Sequence, residues 1–154
     1  MGTHRPCAEI ITQNVDNLHQ KAGSRLCVGA SWISASLRCN DCGAREDTLH
    51  YVRAETNCPS CGGMLRPNIV LFGEMLPSQA IEEAEKAALQ SDLFIVLGTS
   101  LTVAPASYFP ADAKQSGASL VIINESETEL DHLADHLFTG HTISETIRSI
   151  HSCL

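Results

Sequence analysis

The sequence predicts an α/β chain in which a parallel sheet is interrupted by a small zinc ribbon. Three observations carry this. Solid apolar runs, Ile69 to Phe72, Leu93 to Leu97 and Leu120 to Ile123, alternate with stretches of helical period. Strands that are apolar throughout are buried on both faces, as in βαβ units. Each run closes on small or polar residues, Gly73-Glu74, Gly98-Thr99-Ser100 and Asn124-Glu125, where ligands of such sheets lie. Finally, two knuckles, Cys39-Asn40-Asp41-Cys42 and Cys58-Pro59-Ser60-Cys61, stand fifteen residues apart.

From the N-terminus, Glu9 to Thr12 is a short β-like run ending in the polar cluster Gln13-Asn14-Val15-Asp16-Asn17. Residues 15–22 fit a short helix stopped near Gly23. Residues 25–38 read as irregular and hold the only tryptophan, Trp32, as packing for the metal module. Residues 37–66 form the ribbon, with Gly43, Gly62 and Gly63 beside its cysteines to allow tight turns. A two-residue gap lets both thiolates of a knuckle face one ion, and two knuckles supply four soft ligands for tetrahedral Zn²⁺. Four cysteines leave no position for water, so the zinc is structural, adding about 10 kcal/mol of order. Disulfides or free thiols are the alternatives. The odd total of seven cysteines, with Cys7, Cys27 and Cys153 outside the knuckles, fits a reducing compartment.

Ser78 is the expected N-cap of a helix reaching Gln90, with Glu82 and Glu83 in its first turn and Ile81, Ala84 and Ala88 on one face. A second helix is expected from Pro105 or Ala106 to Ser116, stopped by Gly117. Thr142-Ile143-Ser144-Glu145 is a capping box, and Ile143, Ile147 and Ile150 line the helix behind it. His132 and His136 lack a third metal ligand, and the run Glu125, Glu127, Glu129, Asp131 reads as a solvated loop.

The chain has 154 residues, 44% hydrophobic and 18% charged, which is a globular composition. Its net charge of −8 argues against a nucleic-acid ribbon and is compatible with a lysine-rich partner. No apolar run approaches a membrane span, and Met1 to Pro6 has no signal-peptide core. No membrane partner and a soluble, cytoplasmic location are therefore expected.

Taken together, Thr12-Gln13-Asn14-Val15-Asp16 with Leu18-His19 and Ala22-Gly23-Ser24 resembles the sirtuins, NAD-dependent protein-lysine deacylases. So do the paired knuckles, Leu65-Arg66-Pro67, Phe72-Gly73-Glu74, Gly98-Thr99-Ser100-Leu101 with Val103 and Pro105-Ala106, and Val121-Ile122-Ile123-Asn124. The resemblance implies a Rossmann-like NAD domain from residues 1–36 and 67–154, with the zinc module at 37–66. It implies that Gln13, Asn14 and Asp16 line the nicotinamide and its ribose, with Asn14 and Asp16 in the catalytic wall that orients the ribose and stabilises positive charge. Gly98, Thr99 and Ser100 would contact phosphates and adenosine, and Asn124 with Glu125 the adenine ribose. Val70, Phe72, Gly73 and Glu74 would offer a main-chain edge to an acyl-lysine peptide.

Two departures from the family pattern stand out. The histidine base of a Glu-Leu-His-Gly-like stretch is absent, because the corresponding segment reads Arg25-Leu26-Cys27-Val28-Gly29-Ala30 and no histidine lies between His19 and His50. His19, in its Asp-x-Leu-His segment, reads as structural. The strand and glycine-rich turn that open the nucleotide fold are also missing, so the chain reads as the C-terminal portion of a sirtuin, an incomplete Rossmann-like sheet. Weak or no NAD binding by the chain alone is expected. The function expected is sirtuin-type deacetylation or deacylation, impaired in this chain. The alternative is a catalytically inactive, zinc-containing protein-interaction remnant.

Overall fold

The computed structural model describes residues 9–16, 18–24, 27–29, 36–47, 55–70 and 74–153. They divide into two compact units, 1–80 and 81–154.

In the first unit, β1 (Ile10–Thr12) pairs in parallel with β2 (Cys27–Gly29), Ile11 opposite Val28. The chain between them contains α1, Leu18–Lys21, which is shorter than the helix expected over 15–22. Its start is set by Asp16, whose Oδ1 accepts from the Leu18 amide at 2.9 Å. Side-chain capping of this kind terminates the polar strand end and begins the helix in one step. Strand β2 corrects the expectation that 25–38 is irregular: three residues are too few to leave a periodic signal. Trp32, with the rest of 30–35, lies outside the described residues.

An antiparallel sheet follows, in the order β4 (Arg45–Asp47), β3 (Ser36–Cys39), β5 (Leu65–Pro67). Cys39 pairs with Leu65 and Leu37 with Pro67. Leu37, Cys39, Cys58 and Leu65 form its buried cluster, with Ala44 packed alongside. Beyond β5, Asn68 extends the pairing by one step: its amide donates to the Ser36 carbonyl at 3.0 Å. The strand expected from Ile69 to Phe72 is not formed by Ile69 and Val70, which follow Pro67 and the Asn68 bend, and Leu71 to Gly73 lie outside the described residues. Helix α2, Ser78–Leu89, begins at the end of this unit and continues into the second. Ser78 is its first residue, so Glu82 and Glu83 fall in the second turn. The buried face is Ala80, Ala84 and Ala88, with Ile81 half-buried.

The second unit is a parallel sheet in the order β6 (Leu93–Leu97), β7 (Ser119–Asn124), β8 (His136–Thr139). Phe94 faces Leu120 and Val96 faces Ile122 across the first pair. Val96, Leu120 and Ile122 form a core with Leu101, against which Phe94, Leu130, Leu133 and Ala134 pack. Helix α3, Phe109–Gln115, packs on β6 and β7. It starts later than Pro105 because residues 104–108 form a turn, closed by Tyr108 N–H donating to the Pro105 carbonyl at 3.0 Å. Asp135 ties the layers together. Its Oδ1 accepts from Lys114 of α3 at 2.5 Å and its Oδ2 from the Leu120 amide of β7 at 2.7 Å. The Lys114 ammonium, helped by that amide, holds the Asp135 carboxyl below its usual range.

Helix α4, Ile143–Ser152, opens with the expected capping box: Thr142 Oγ1 accepts from the Glu145 amide and the Glu145 side chain accepts from the Thr142 amide. The Thr142 amide, helped by the Thr142 hydroxyl donating to the same oxygen, holds the Glu145 carboxyl below its usual range. The stripe Ile143, Ile147, Ile150 stays more than a third exposed, whereas Thr146 is buried. No helix among the described residues is long and apolar enough to cross a membrane.

Candidate functional site

The two knuckles fold alike. Gly43 donates its amide to the Cys39 carbonyl and Gly62 to the Cys58 carbonyl, while the Cys39 and Cys58 amides donate to Ala44 and Gly63. Each turn needs a left-handed residue, supplied by Gly43 at φ 73° and Gly62 at φ 78°. Gly63 has a separate constraint, since a Cβ there would run into the Asp41 carboxylate.

These turns bring the sulfurs of Cys39, Cys42, Cys58 and Cys61 within 4.8 Å of one another. Cys39 Sγ lies 3.5 Å from Cys61 Sγ, and Cys42 Sγ 3.7 Å from Cys58 Sγ. Zn–S bonds of about 2.3 Å place tetrahedral sulfurs about 3.8 Å apart, so the donor set fits one zinc ion. The same separations are too long for the disulfide alternative, whose S–S bond is about 2.05 Å. Amides of Asp41 and Gly63 donate to the sulfurs of Cys39 and Cys61, both at 3.4 Å. Such bonds orient the ligands of a metal from outside.

Charge points to a cation as well. The Cys42 amide, chief among several donors, lowers the Cys39 thiol to about 7. The Gly63 amide favours the Cys61 thiolate, yet the sulfurs of Cys42 and Cys39, desolvation and Cys58 push that thiol up to about 12. At Cys42 the Ala44 amide is outweighed by desolvation and by the sulfurs of Cys39 and Cys58, and the thiol is raised. Four thiolates this close cannot all ionise without a positive partner.

The nucleotide residues expected in the second unit sit at one rim. Gly98 follows β6 and donates its amide to the Ile123 carbonyl at 3.0 Å, next to Asn124 at the end of β7. A Cβ on Gly98 would meet Ile143 Cδ1 at 2.6 Å, and its φ of 59° is left-handed. Asn124 is 8% exposed and donates from Nδ2 to the Ser126 carbonyl at 2.7 Å. Glu125 is exposed, and its carbonyl accepts from the Gly140 amide at 3.2 Å. Thr99 Oγ1 accepts from the Leu101 amide at 3.3 Å, and Ser100 Oγ lies 2.9 Å from Thr102 Oγ1. Leu101 is the one non-glycine with positive φ, 57°, among the described residues, and its side chain is buried in the sheet core. Sequence reasoning gave Leu101 no role beyond its place in the family string and passed over Thr102, because neither residue type signals a site by itself.

In the first unit, Gln13, Asn14 and Asp16 are exposed just beyond β1. The Asn14 amide donates to Thr12 Oγ1 at 3.1 Å, and Asp16 caps α1. His19 lies within α1 and is half-buried. Of the peptide-edge residues, Val70 is half-buried, Glu74 is paired with Arg66, and Phe72 and Gly73 lie outside the described residues. Arg66 was not expected to matter. It donates from Nη1 and Nη2 to the two Glu74 oxygens at 2.5 and 3.1 Å, and the Glu74 carboxylate raises its already high pKa. No local pattern marks a pair eight residues apart.

Comparison with known proteins gives a consistent result. A family model described as the Sir2 family matches residues 1–105. The chain is 47% identical over 145 residues to an NAD-dependent protein deacetylase 1 of Geobacillus kaustophilus, covering 94% of this chain and 60% of that protein. It is 40% identical to an NAD-dependent protein deacylase of Aquifex aeolicus, covering 84% of this chain and 55% of the relative. A solved structure of Sir2Tm bound to a propionylated peptide superimposes with a TM-score of 0.88 at 35% identity, covering 94% of this chain and 62% of that one. The chain thus spans about 60% of the length of the curated relatives it matches.

Proposed function

The chain belongs to the Sir2 family, and from that premise we propose that it serves in NAD-dependent removal of acyl groups from protein lysines. The observation that carries this reading is the rim of the second unit. Gly98 and Asn124 end adjacent parallel strands, with Thr99, Ser100 and Glu125 beside them, where an α/β sheet holds its ligand. Relatives with matching sequence are named NAD-dependent deacetylases and deacylases.

In this reading residues 1–36 and 67–154 form the NAD domain and 37–66 the zinc module. NAD, when bound, supplies the glycosidic bond whose cleavage drives acyl transfer. Gly98, left-handed and seated against Ile143, turns the chain after β6, and Thr99 and Ser100 donate hydroxyls to the phosphate side of the dinucleotide. Asn124 and Glu125 accept ribose hydroxyls. Gln13, Asn14 and Asp16 orient the nicotinamide ribose, and the Asp16 carboxylate and Asn14 amide oxygen stabilise positive charge developing there. Val70, Phe72, Gly73 and Glu74 guide an extended acyl-lysine peptide through main-chain hydrogen bonds. Cys39, Cys42, Cys58 and Cys61 hold zinc away from the chemistry, since all four coordination positions are taken. A cytoplasmic setting agrees with the free thiols.

Release of nicotinamide from NAD in the presence of an acetyl-lysine peptide tests the reading. Turnover above a peptide-free blank supports it. Stoichiometric zinc with no turnover supports a second reading, an inactive module that binds a partner. That second reading is favoured by Leu93, Ile95 and Leu97, alternate residues of β6 that stay exposed.

A further inference from the structure

We propose that Arg66 and Glu74 form a clasp that couples zinc at the knuckles to docking of the acyl-lysine peptide. The proposal rests on the functional reading above and assigns positioning roles to Glu74 of that site and to its partner Arg66. It begins with register. Leu65 pairs with Cys39, and both are buried in the cluster that contains Cys58. Arg66 is the next residue along β5 and pairs with Arg38, so its backbone is set by β3, the strand that carries the ligand Cys39. On its other side, Asn68 is tied to Ser36 through its amide at 3.0 Å and its Nδ2 at 3.3 Å.

The guanidinium is seated as well as paired. Its Nε is buried and has no partner among the described residues, while Nη1 and Nη2 grip the two Glu74 oxygens. A planar fork holding both carboxylate oxygens fixes orientation as well as distance. The side chains are 26% and 36% exposed, and exposed pairs add little to stability. Placement of Glu74 is what this geometry delivers. A carboxylate engaged at both oxygens is not offered to the substrate lysine, so Glu74 works through its backbone. Loss of zinc loosens the knuckle sheet, frees Arg66 and releases Glu74. Coupling between two ligands is reciprocal, so bound peptide must tighten zinc by the factor that zinc tightens peptide.

The zinc-loaded full chain supplies the test. Side-chain NMR should show Arg66 with distinct, slowly rotating Nη groups, averaged after zinc chelation and in Glu74→Gln. Zinc affinity, read by chelator competition, should rise about fivefold when an acetyl-lysine peptide is added. That factor should fall to one in Glu74→Gln and Arg66→Gln, and return in the charge-swapped Arg66→Glu/Glu74→Arg pair. Glu74→Gln leaves every residue of the zinc sheet in place, so it retains zinc even if Arg66→Gln misfolds. Arg66 signals indifferent to chelation, or an undiminished peptide effect in Glu74→Gln, would overturn the clasp. A wild-type chain that binds the peptide equally with and without zinc overturns the clasp alone. One that ignores the peptide while zinc-loaded overturns both the clasp and the functional reading.

Discussion

The knuckle sheet and the parallel sheet are each three strands wide, yet they cohere by different means. The knuckle sheet buries Leu37, Cys39, Cys58 and Leu65, so half of its central cluster consists of metal ligands. The parallel sheet buries Val96, Leu101, Leu120 and Ile122, with four more apolar side chains against them. A cluster of the first kind is too small to order a sheet by burial alone, and the ion must supply the difference. A cluster of the second kind needs no ion. The sequence divides its chemistry in the same way: soft ligands and glycines in one region, solid aliphatic runs in the other.

That contrast can be broken or sharpened by substitution. The largest effect should come from Cys39→Ser, which removes a zinc ligand and forfeits much of the metal's roughly 10 kcal/mol. Zinc stoichiometry and amide-signal dispersion of residues 36–47 and 55–67 should both be lost while signals of 93–97 and 119–124 persist. Collapse of the parallel sheet as well would end the comparison. Next, Leu120→Ala should cost about 2–5 kcal/mol in urea unfolding of the second unit, with zinc content unchanged. Thr142→Ala should cost about 1 kcal/mol by removing the cap of α4, again without effect on zinc. The smallest effect concerns Asp135. Its folded pKa is depressed, so its stabilisation is present above the unfolded value and is lost as pH falls through the folded one. Wild type should therefore lose more stability than Asp135→Asn on acidification below about pH 4, a gap readable by thermal melts at stepped pH.

The fold was most legible where one residue class ran unbroken. Leu93 to Leu97 is β6 in its bounds, although Leu93, Ile95 and Leu97 stay exposed where burial on both faces was expected; Leu120 to Ile123 is β7 with one residue added at each end, and the Thr142 capping box is formed. Short elements were not legible. Strand β2 has three residues and exists because β1 pairs with it, which no local pattern records. Ile69 and Val70 read as strand on composition, yet they lie beyond the Asn68 bend, where the pairing with β3 ends. The α4 stripe reads as a core face, but its buried residue is Thr146, whose hydroxyl returns to the Thr142 carbonyl at 3.2 Å. At the candidate site the metal ligands were legible because spacing alone gathers them. The strand-end residues were legible from the family resemblance. Arg66 and Leu101 were not, because a partner eight residues distant and a left-handed backbone angle are settled by tertiary context.

The knuckles alternate in a way that bears on metal traffic. The leading cysteine of each, Cys39 and Cys58, is buried, and the trailing one, Cys42 and Cys61, is exposed. An ion held by these four sulfurs has a closed floor and an open roof. A competing thiol or chelator can displace only the roof ligands first, so the residence time of the ion is governed by how often Cys42 or Cys61 lets go.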